Sequence, residues 1–272
     1  MQREAWVVLI ILLLATGAVY AHVTTTTEEY SRYNTGWNGT SNVAAEEVRE
    51  LRDLPAGATL LILAPEGEFT AAEVGCLRAF LDSGGAIILA DEEGAGNQLL
   101  ADLGSTIRIR PGSLASLDRD HVDPGLFRVE VTGNASIVAG VETLLVNHPA
   151  AVEGGEPLLE TSALTWEDGN GDGRVSGGET FRRTAVGARE GNLTVLGDPS
   201  LFINAMLPEN PGFTGNLRGE RILIDAAHSR TGTTNLFINT LEWIRETPPA
   251  GAAIAALAIL PVARRFGRKE NE

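Results

Sequence analysis

Residues Asp168 to Glu179, DGNGDGRVSGGE, have the types and spacing of a calcium loop. Asp168, Asn170 and Asp172 stand at loop positions 1, 3 and 5, and Gly173 at position 6 allows the sharp turn. The Arg174 carbonyl falls at position 7, Ser176 at 9, and Glu179 at 12 can chelate through both oxygens. A hard cation needs about six or seven oxygens converging from a short segment, and alternate residues of a turning backbone supply them. SALTW before the loop and FRRTAVGA after it read as strands, so the expected object is a calcium-clamped hairpin rather than a helix-loop-helix hand. A single loop has no partner hand to move, which makes stability its expected role. The same Asp and Gly residues would also suit a tight turn that binds nothing.

A second group of candidates is defined by strand ends. AIILAD ends in Asp91, TVLGD in Asp198 and RILID in Asp225, with His228 three residues on; Asn204 and Ser229 are similar candidates. In an open parallel sheet the ligand crevice lies at the carboxyl ends of the strands. Carboxylates and a histidine gathered there could bind a small ligand, or hold a divalent metal that activates water for hydrolysis. The plainer reading, which the sequence favours, is that Asp198 before PSLFIN and Asp225 before AAH are turn and cap residues. His22, His121 and His148 lie in contexts too irregular to assign.

Positioning these residues requires a sheet. ATLLILAP (58–65) is a continuous apolar run of strand length. FTAAEVGCLRAFLDSGG follows, with Thr70 and Glu73 at capping-box spacing, apolar positions Val74, Leu77, Phe80 and Leu81, and a Gly84–Gly85 stop. AIILAD is the next strand, so residues 58 to 90 predict a βαβ unit with a right-handed crossover. Val43 to Leu54 reads as an amphipathic helix, Asn97 to Leu103 as a short one. TIRIR, LFRVEV and TLLVN read as an insertion or a sheet edge, and TTNLFINTLEWIRE as a closing helix with Leu236, Phe237, Thr240, Leu241 and Ile244 on one face. The continuous apolar character of LLIL, AIIL and ILI indicates strands covered on both faces. The expected fold class is α/β, a mostly parallel sheet with helices on both faces, in an amidotransferase-like or flavodoxin-like arrangement.

Two apolar runs flank this domain. Ala5 to Ala21 carries no charge and can just span a hydrocarbon core of roughly 30 Å, as a retained anchor or a cleaved signal. Pro248 to Ala263 is Ala-rich and reads as a second transmembrane helix or a surface helix, followed by Arg264, Arg265, Arg268 and Lys269. Basic clusters stay on the cytoplasmic side. The expected organisation is an anchor or signal over 1–22, a polar linker over 23–42, an extracytoplasmic α/β domain over 43–247, a transmembrane helix over 248–263 and a basic cytoplasmic tail over 264–272. The expected location is the cell membrane.

With 36 acidic and 21 basic residues the formal net charge is -15. That balance argues against nucleic acid, whose phosphates would be repelled. The single cysteine, Cys76, excludes an intramolecular disulfide and reads as a small apolar residue inside its helix. Three glycosylation sequons begin at Asn38, Asn134 and Asn192; a chain of this composition carries one or two by chance.

Taken together, the LLILAP strand, the EEV-type helix, GGAIILAD, the WEDGNGDGRVSGGE loop, GDPSLFIN and ILIDAAH resemble an uncharacterised prokaryotic family of membrane-anchored domains, found largely in archaea and bacteria. That family is related to glutamine-amidotransferase-like folds and to auxiliary subunits of gliding-motility-type transport systems. The resemblance covers about residues 40 to 245, and it implies partners in a membrane or cell-envelope complex. An active amidotransferase carries a nucleophilic Cys on the turn after a central strand; here that turn reads Asp91, Glu92, Glu93, Gly94. The expected function is therefore non-catalytic binding of a partner protein or small ligand. A metal-assisted hydrolase at the strand ends is the alternative, and a solute-binding receptor the third possibility.

Overall fold

The computed structural model describes residues 26–232, together with 9, 11–13 and 15–17 of the first apolar run. By contacts, Thr27–Thr233 forms one compact unit, and Met1–Thr26 with Thr234–Glu272 forms another. The described residues of the first run are helical. The closing helix from TTNLFINTLEWIRE, the second apolar run and the basic tail lie outside the described residues. Among the described residues no helix is long and apolar enough to cross a membrane. The flanking transmembrane helices expected from sequence therefore have no counterpart in the described structure.

The unit from Thr27 is built on a mixed sheet. Its thirteen strands are β1 (Glu46–Val48), β2 (Thr59–Leu63), β3 (Ala86–Ala90), β4 (Arg108–Arg110), β5 (Ser113–Ser116), β6 (Leu126–Val131), β7 (Thr143–Asn147), β8 (Ala151–Glu153), β9 (Glu156–Glu160), β10 (Thr165–Asp168), β11 (Ala185–Glu190), β12 (Leu193–Leu196) and β13 (Ile222–Asp225). Nine of them form the main sheet in the order β1-β13-β2-β3-β12-β11-β9-β6-β7, and β10 with β5 and β4 with β8 form two small ribbons. Three α-helices accompany them: α1 (Ala71–Asp82), α2 (Asn97–Leu103) and α3 (Pro211–Gly219).

The expectation of a mostly parallel α/β sheet is overturned. Four of the described ladders are parallel, linking β1, β13, β2, β3 and β12; six are antiparallel. The fold is a β-rich mixed sheet with few helices, and neither amidotransferase-like nor flavodoxin-like. The physical reason is that a continuous apolar run reports burial on both faces, not the direction of the neighbouring strand. β11 and β12 illustrate it: β12 is buried throughout and β11 at Val186–Ala188, yet a turn at Gly191 (φ 58°) and Asn192 joins them as an antiparallel hairpin.

Strand alternation divides the core into two layers. On one face Leu60 and Ile62 of β2 and Ile87 and Leu89 of β3 meet Val74, Leu77 and Phe80 of α1 and Leu99 and Leu100 of α2. On the other, Leu61, Leu63 and Ile88 meet Phe213 and Leu217 of α3 and the side chains of β6 and β7. The capping box opening α1 is present: Glu73 N–H donates to Thr70 Oγ1 at 3.3 Å, and Thr70 N–H to Glu73 Oε2 at 2.8 Å. The amphipathic helix expected over Val43–Leu54 is absent. Glu46–Val48 instead adds to β13 as a parallel edge strand, and Asp53 takes a left-handed backbone (φ 58°) ahead of Pro55. Pairing along the open edge of β13 outweighs helix propensity in so short a stretch.

β7, at the other edge, is blunted by a side chain. The buried Asn210 accepts from Leu145 N–H at 2.8 Å and donates through Nδ2 to the Leu145 carbonyl at 3.0 Å, as a neighbouring strand would. Asn210→Ala leaves both groups unpaired inside the protein. It is expected to cost about 2–3 kcal/mol in urea unfolding and to make the edge prone to self-association.

Candidate functional site

β2, β3, β12 and β13 run in the same direction, so their carboxyl ends, with that of β7, lie along one rim of the sheet. Asp91, Asp198, Asp225, His228 and Asn204 all belong to segments leaving that rim. What each side chain does there is specific.

Asp91 is buried and closes its own turn, accepting from Glu93 N–H at 2.9 Å and Gly96 N–H at 2.8 Å. Burial raises its pKa against the pull of those bonds. Asp198 caps the 3-10 turn Pro199–Phe202 through Ser200 N–H at 2.7 Å, and its second oxygen accepts from Asn147 N–H at 2.8 Å, tying β12 to β7. It is 1% exposed, and burial pushes its pKa up to about 6. Asn204 is a fastener: it accepts from Asn42 N–H at 2.9 Å and donates to the Asn34 and Gly36 carbonyls at 3.2 and 2.7 Å.

Asp225 and His228 form the tightest group. Asp225 Oδ1 accepts from His228 Nδ1 at 3.1 Å and from Ala227 N–H at 3.3 Å. Its Oδ2 accepts from Ser229 Oγ at 2.7 Å and His228 N–H at 3.1 Å. On the far side His228 Nε2 lies 3.2 Å from Glu73 Oε1, and the ring stacks on Phe69 at 4.1 Å. With a carboxylate at each nitrogen the imidazolium is favoured, and the Asp225 bond, the Asp225 charge and Glu73 together raise its pKa despite burial. The bonds from Thr70 hold Glu73 low, with a further contribution from His228. This clamp joins the start of α1 to the end of β13. Its stabilisation is complete below about pH 6.5 and is lost as pH rises through the higher folded midpoint. NMR titration of His228 should show a midpoint above the ordinary imidazole value, moving down in Glu73→Gln.

Two further groups had no signal in the sequence. Tyr30 donates to Glu92 Oε1 at 3.2 Å and lies 3.4 Å from Ser200 Oγ. Burial, then the Asp198 charge, pushes Glu92 up to about 8, the first from solvation and the second from like-charge repulsion. Burial and the Glu92 charge raise the Tyr30 phenol. The second group is a chain at the end of β7: His148 Nδ1 lies 3.0 Å from Ser113 Oγ and Nε2 lies 3.1 Å from Asp123 Oδ2. Hydroxyl, imidazole and carboxylate are in order, but nucleophilic catalysis also needs free donors for an oxyanion. The neighbouring N–H groups are spent, Leu114 on the Pro149 carbonyl and Gly125 on Asp123 Oδ1.

The 168–179 loop curls on itself through its own carboxylates. Asp168 accepts from Asp172 N–H at 3.2 Å and Gly173 N–H at 2.8 Å. Asn170 Oδ1 accepts from Asp172 N–H at 3.1 Å, and Asp172 Oδ1 from Arg174 N–H at 2.8 Å. Glu179, at the last position, reaches back to Gly169 N–H at 3.1 Å and Ser176 N–H at 2.8 Å, while Ser176 Oγ lies 3.3 Å from Asn170 Nδ2. Gly173 has the left-handed backbone (φ 66°) its position requires. The donor set is all oxygen, and each oxygen accepting one N–H keeps a lone pair for a hard cation. Among the described residues no three or more His, Cys, Asp and Glu side chains are grouped closely enough to hold a metal by themselves; a loop of this kind also draws on Asn170, Ser176 and the Arg174 carbonyl.

The context is not the hairpin expected. β10 pairs with β5, and β11 with β9 and β12. The loop's ends are closed instead by Arg182 N–H on the Thr165 carbonyl at 2.8 Å and by Trp166 edge-on to Phe181 at 5.8 Å.

Residues 32–214 match the family model described as "Domain of unknown function (DUF4350)". This chain belongs to the DUF4350 family. The DUF4350 match takes in Asp91, Asp198, Asn204 and the whole 168–179 loop, and ends before Asp225 and His228. Among curated proteins nothing matches. A solved structure described as "mmIFT52 N-terminal domain" is similar over 59% of this chain and 73% of its own, with 18% identity and a TM-score of 0.43. A likeness at that level supports no argument about function.

Proposed function

We propose that this chain is a non-catalytic binding domain whose 168–179 loop takes calcium as a structural clamp, and which engages a partner protein or small ligand without turning it over. The loop carries the proposal: five oxygen-bearing side chains stand at positions 1, 3, 5, 9 and 12, and the last folds back onto the backbone of positions 2 and 9. A bound cation replaces mutual repulsion of Asp168, Asp172 and Glu179 with attraction, and adds its binding free energy to the fold. The proposed location is outside the cytoplasm, where single modules of modest affinity find calcium at about 0.1–1 mM or above. The proposed partner class is a protein of a cell-envelope or transport assembly, as the sequence resemblance implies.

The absence of catalysis is supported by how the strand-end groups are used. Asp91, Asp198 and Asp225 accept backbone N–H bonds on both oxygens, and His228 has a carboxylate at each nitrogen. Thus occupied, His228 offers no free lone pair to a metal or to a water proton. The metal-assisted hydrolase gains no support from this arrangement; substrate turnover by the full chain, lost in His228→Gln, would revive it.

Thermal melting of the full chain tests the calcium clamp. Calcium at about 100 times its dissociation constant should add about 2.7 kcal/mol, or roughly 5–10 °C for a unit of this size. Chelator should remove the gain, and Asp172→Ala should never show it. An unchanged melting temperature in calcium contradicts the proposal.

A further inference from the structure

A cavity lies at the rim opposite to that of Asp91 and Asp225, where β2, β3 and β12 begin, and we propose that it binds a small amino acid of glycine or alanine size by both of its charged ends. Its floor is one face of three neighbouring parallel strands, with Thr59 on β2, Ala86 and Ile88 on β3 and Thr194 on β12. Ser136 and Ile137 of the 3-10 turn Ser136–Val138 close it from above. That turn is tied to α3 by Asn216 Nδ2, which donates to the Ile137 and Ala139 carbonyls at 3.1 and 3.0 Å.

The polar groups are what call for a ligand. Thr59 and Thr194 are each 6% exposed, on a face where Leu61, Ile88 and Leu196 are apolar. Thr59 Oγ1 donates to Glu220 Oε2 at 2.7 Å. The Thr194 hydroxyl has no partner among the described residues. A buried hydroxyl left unmet is costly, and the open side available to this one is the cavity.

Two charges of opposite sign stand at the cavity's walls. Arg189 is the cross-strand neighbour of Thr194. Its Nε donates to the Gly191 carbonyl at 2.6 Å and its Nη1 to the Asn134 carbonyl at 2.9 Å. Those bonds fix the guanidinium plane and leave Nη2 for a carboxylate. Glu220 follows α3 and keeps Oε1 for a donor. Neither Arg189 nor Glu220 has an ion-pair partner among the described residues, although both line the same cavity. A zwitterion meets both: its carboxylate takes Arg189 and the Thr194 hydroxyl, and its ammonium takes Glu220 Oε1 and the Thr59 oxygen. It brings no net charge, which suits a chain of formal charge -15. The volume is about 90 Å³, the liquid share of about three waters, which admits glycine or alanine and excludes long side chains. The site gives a place and a ligand class to the small-ligand binding proposed above and rests on that non-catalytic reading, but it shares no residue with the 168–179 loop.

Isothermal calorimetry of glycine and of L-alanine into the full chain, with chelator present so that calcium plays no part, tests the site. One saturable event per chain is expected for each, with phenylalanine silent. Acetate and methylamine, which carry one charged end apiece, should bind at least about tenfold more weakly. Arg189→Gln and Glu220→Gln should each weaken alanine binding about tenfold or more. Thr194→Val should weaken it about threefold or more without lowering the melting temperature, because the hydroxyl it removes has no partner within the protein. No saturable heat, the result for a cavity that holds water alone, overturns the proposal. So does heat that survives both charge substitutions, or acetate binding as tight as that of glycine. If the variants do not fold, amide NMR of the wild type decides: alanine should shift Thr59, Ala86 and Thr194 and leave Asp91 and Asp225 unmoved. Shifts confined to the opposite rim overturn the site. A calcium heat that persists in a chain binding no amino acid overturns this site alone and leaves the clamp standing.

Discussion

Asp225→Ala is expected to destabilise the domain by about 3–5 kcal/mol, measured by urea or thermal unfolding of the full chain. Asp225 is 0% exposed, and one carboxylate gathers the Ala227 and His228 amides, the His228 ring and the Ser229 hydroxyl. Ser229 Oγ in turn accepts from Leu63 N–H at 3.2 Å, so the network reaches the end of β2. Alanine strands several buried donors at once and leaves His228 with Glu73 alone. Asp225→Asn keeps the shape but offers one acceptor oxygen where two are used, so an intermediate loss is expected. A change below about 1 kcal/mol in the alanine variant, the range of an ordinary surface position, would contradict this account of the clamp.

Glu92→Gln should do the reverse and stabilise the domain, by an amount that grows with pH. The folded midpoint of Glu92 is raised from 4.5 to about 8, so its contribution is complete below about pH 4.5 and is lost as pH climbs through the folded midpoint. At about 1.4 kcal/mol per unit the full linkage is about 5 kcal/mol; Glu92 is only partly buried, and solvent screening reduces the expected gain near pH 8 to about 2–3 kcal/mol. Wild-type and variant stabilities should converge toward about pH 4.5 and separate above it. Asp198, raised to about 6 by burial, adds a slope of the same sign; because its charge is coupled to that of Glu92, the difference between the two proteins reports the pair. Parallel curves across the range would show that Glu92 ionises freely in the folded state.

How much of this was legible in the sequence depends on the range of the interaction involved. The capping box of α1 was, because Thr70 and Glu73 satisfy each other within four residues. So were the buried strands β2, β3, β12 and β13, whose apolar runs fit a sheet covered on both faces. Strand direction was not legible in the apolar runs, although the two-residue Gly191–Asn192 loop between β11 and β12 is a hairpin signal. The helix expected over Val43–Leu54 failed for a related reason: the partner of Glu46–Val48 is β13, about 175 residues away, and tertiary pairing overrides local preference. In the strand-end residues the sequence located the rim but not the roles. Asp198 and Asp225 were foreseeable as caps, whereas the pairing of His228 with Glu73 requires α1 to start beside the end of β13. Tyr30 was invisible, because nothing in the stretch that also carries Tyr33 and Trp37 tells which aromatic is buried; Tyr30 is 2% exposed and Trp37 68%. The loop from Asp168 to Glu179 was legible as a unit, its ligand pattern being contained in twelve consecutive residues, while its flanking strands found partners elsewhere.

Isothermal calorimetry of calcium into the full chain, previously stripped with chelator, tests the central claim most directly. One saturable site per chain, with its heat lost in both Asp172→Ala and Glu179→Gln and not reproduced by magnesium at the same concentration, is the predicted result. No saturable heat in the wild type, or a heat that survives both substitutions, would contradict calcium as the clamp of this domain.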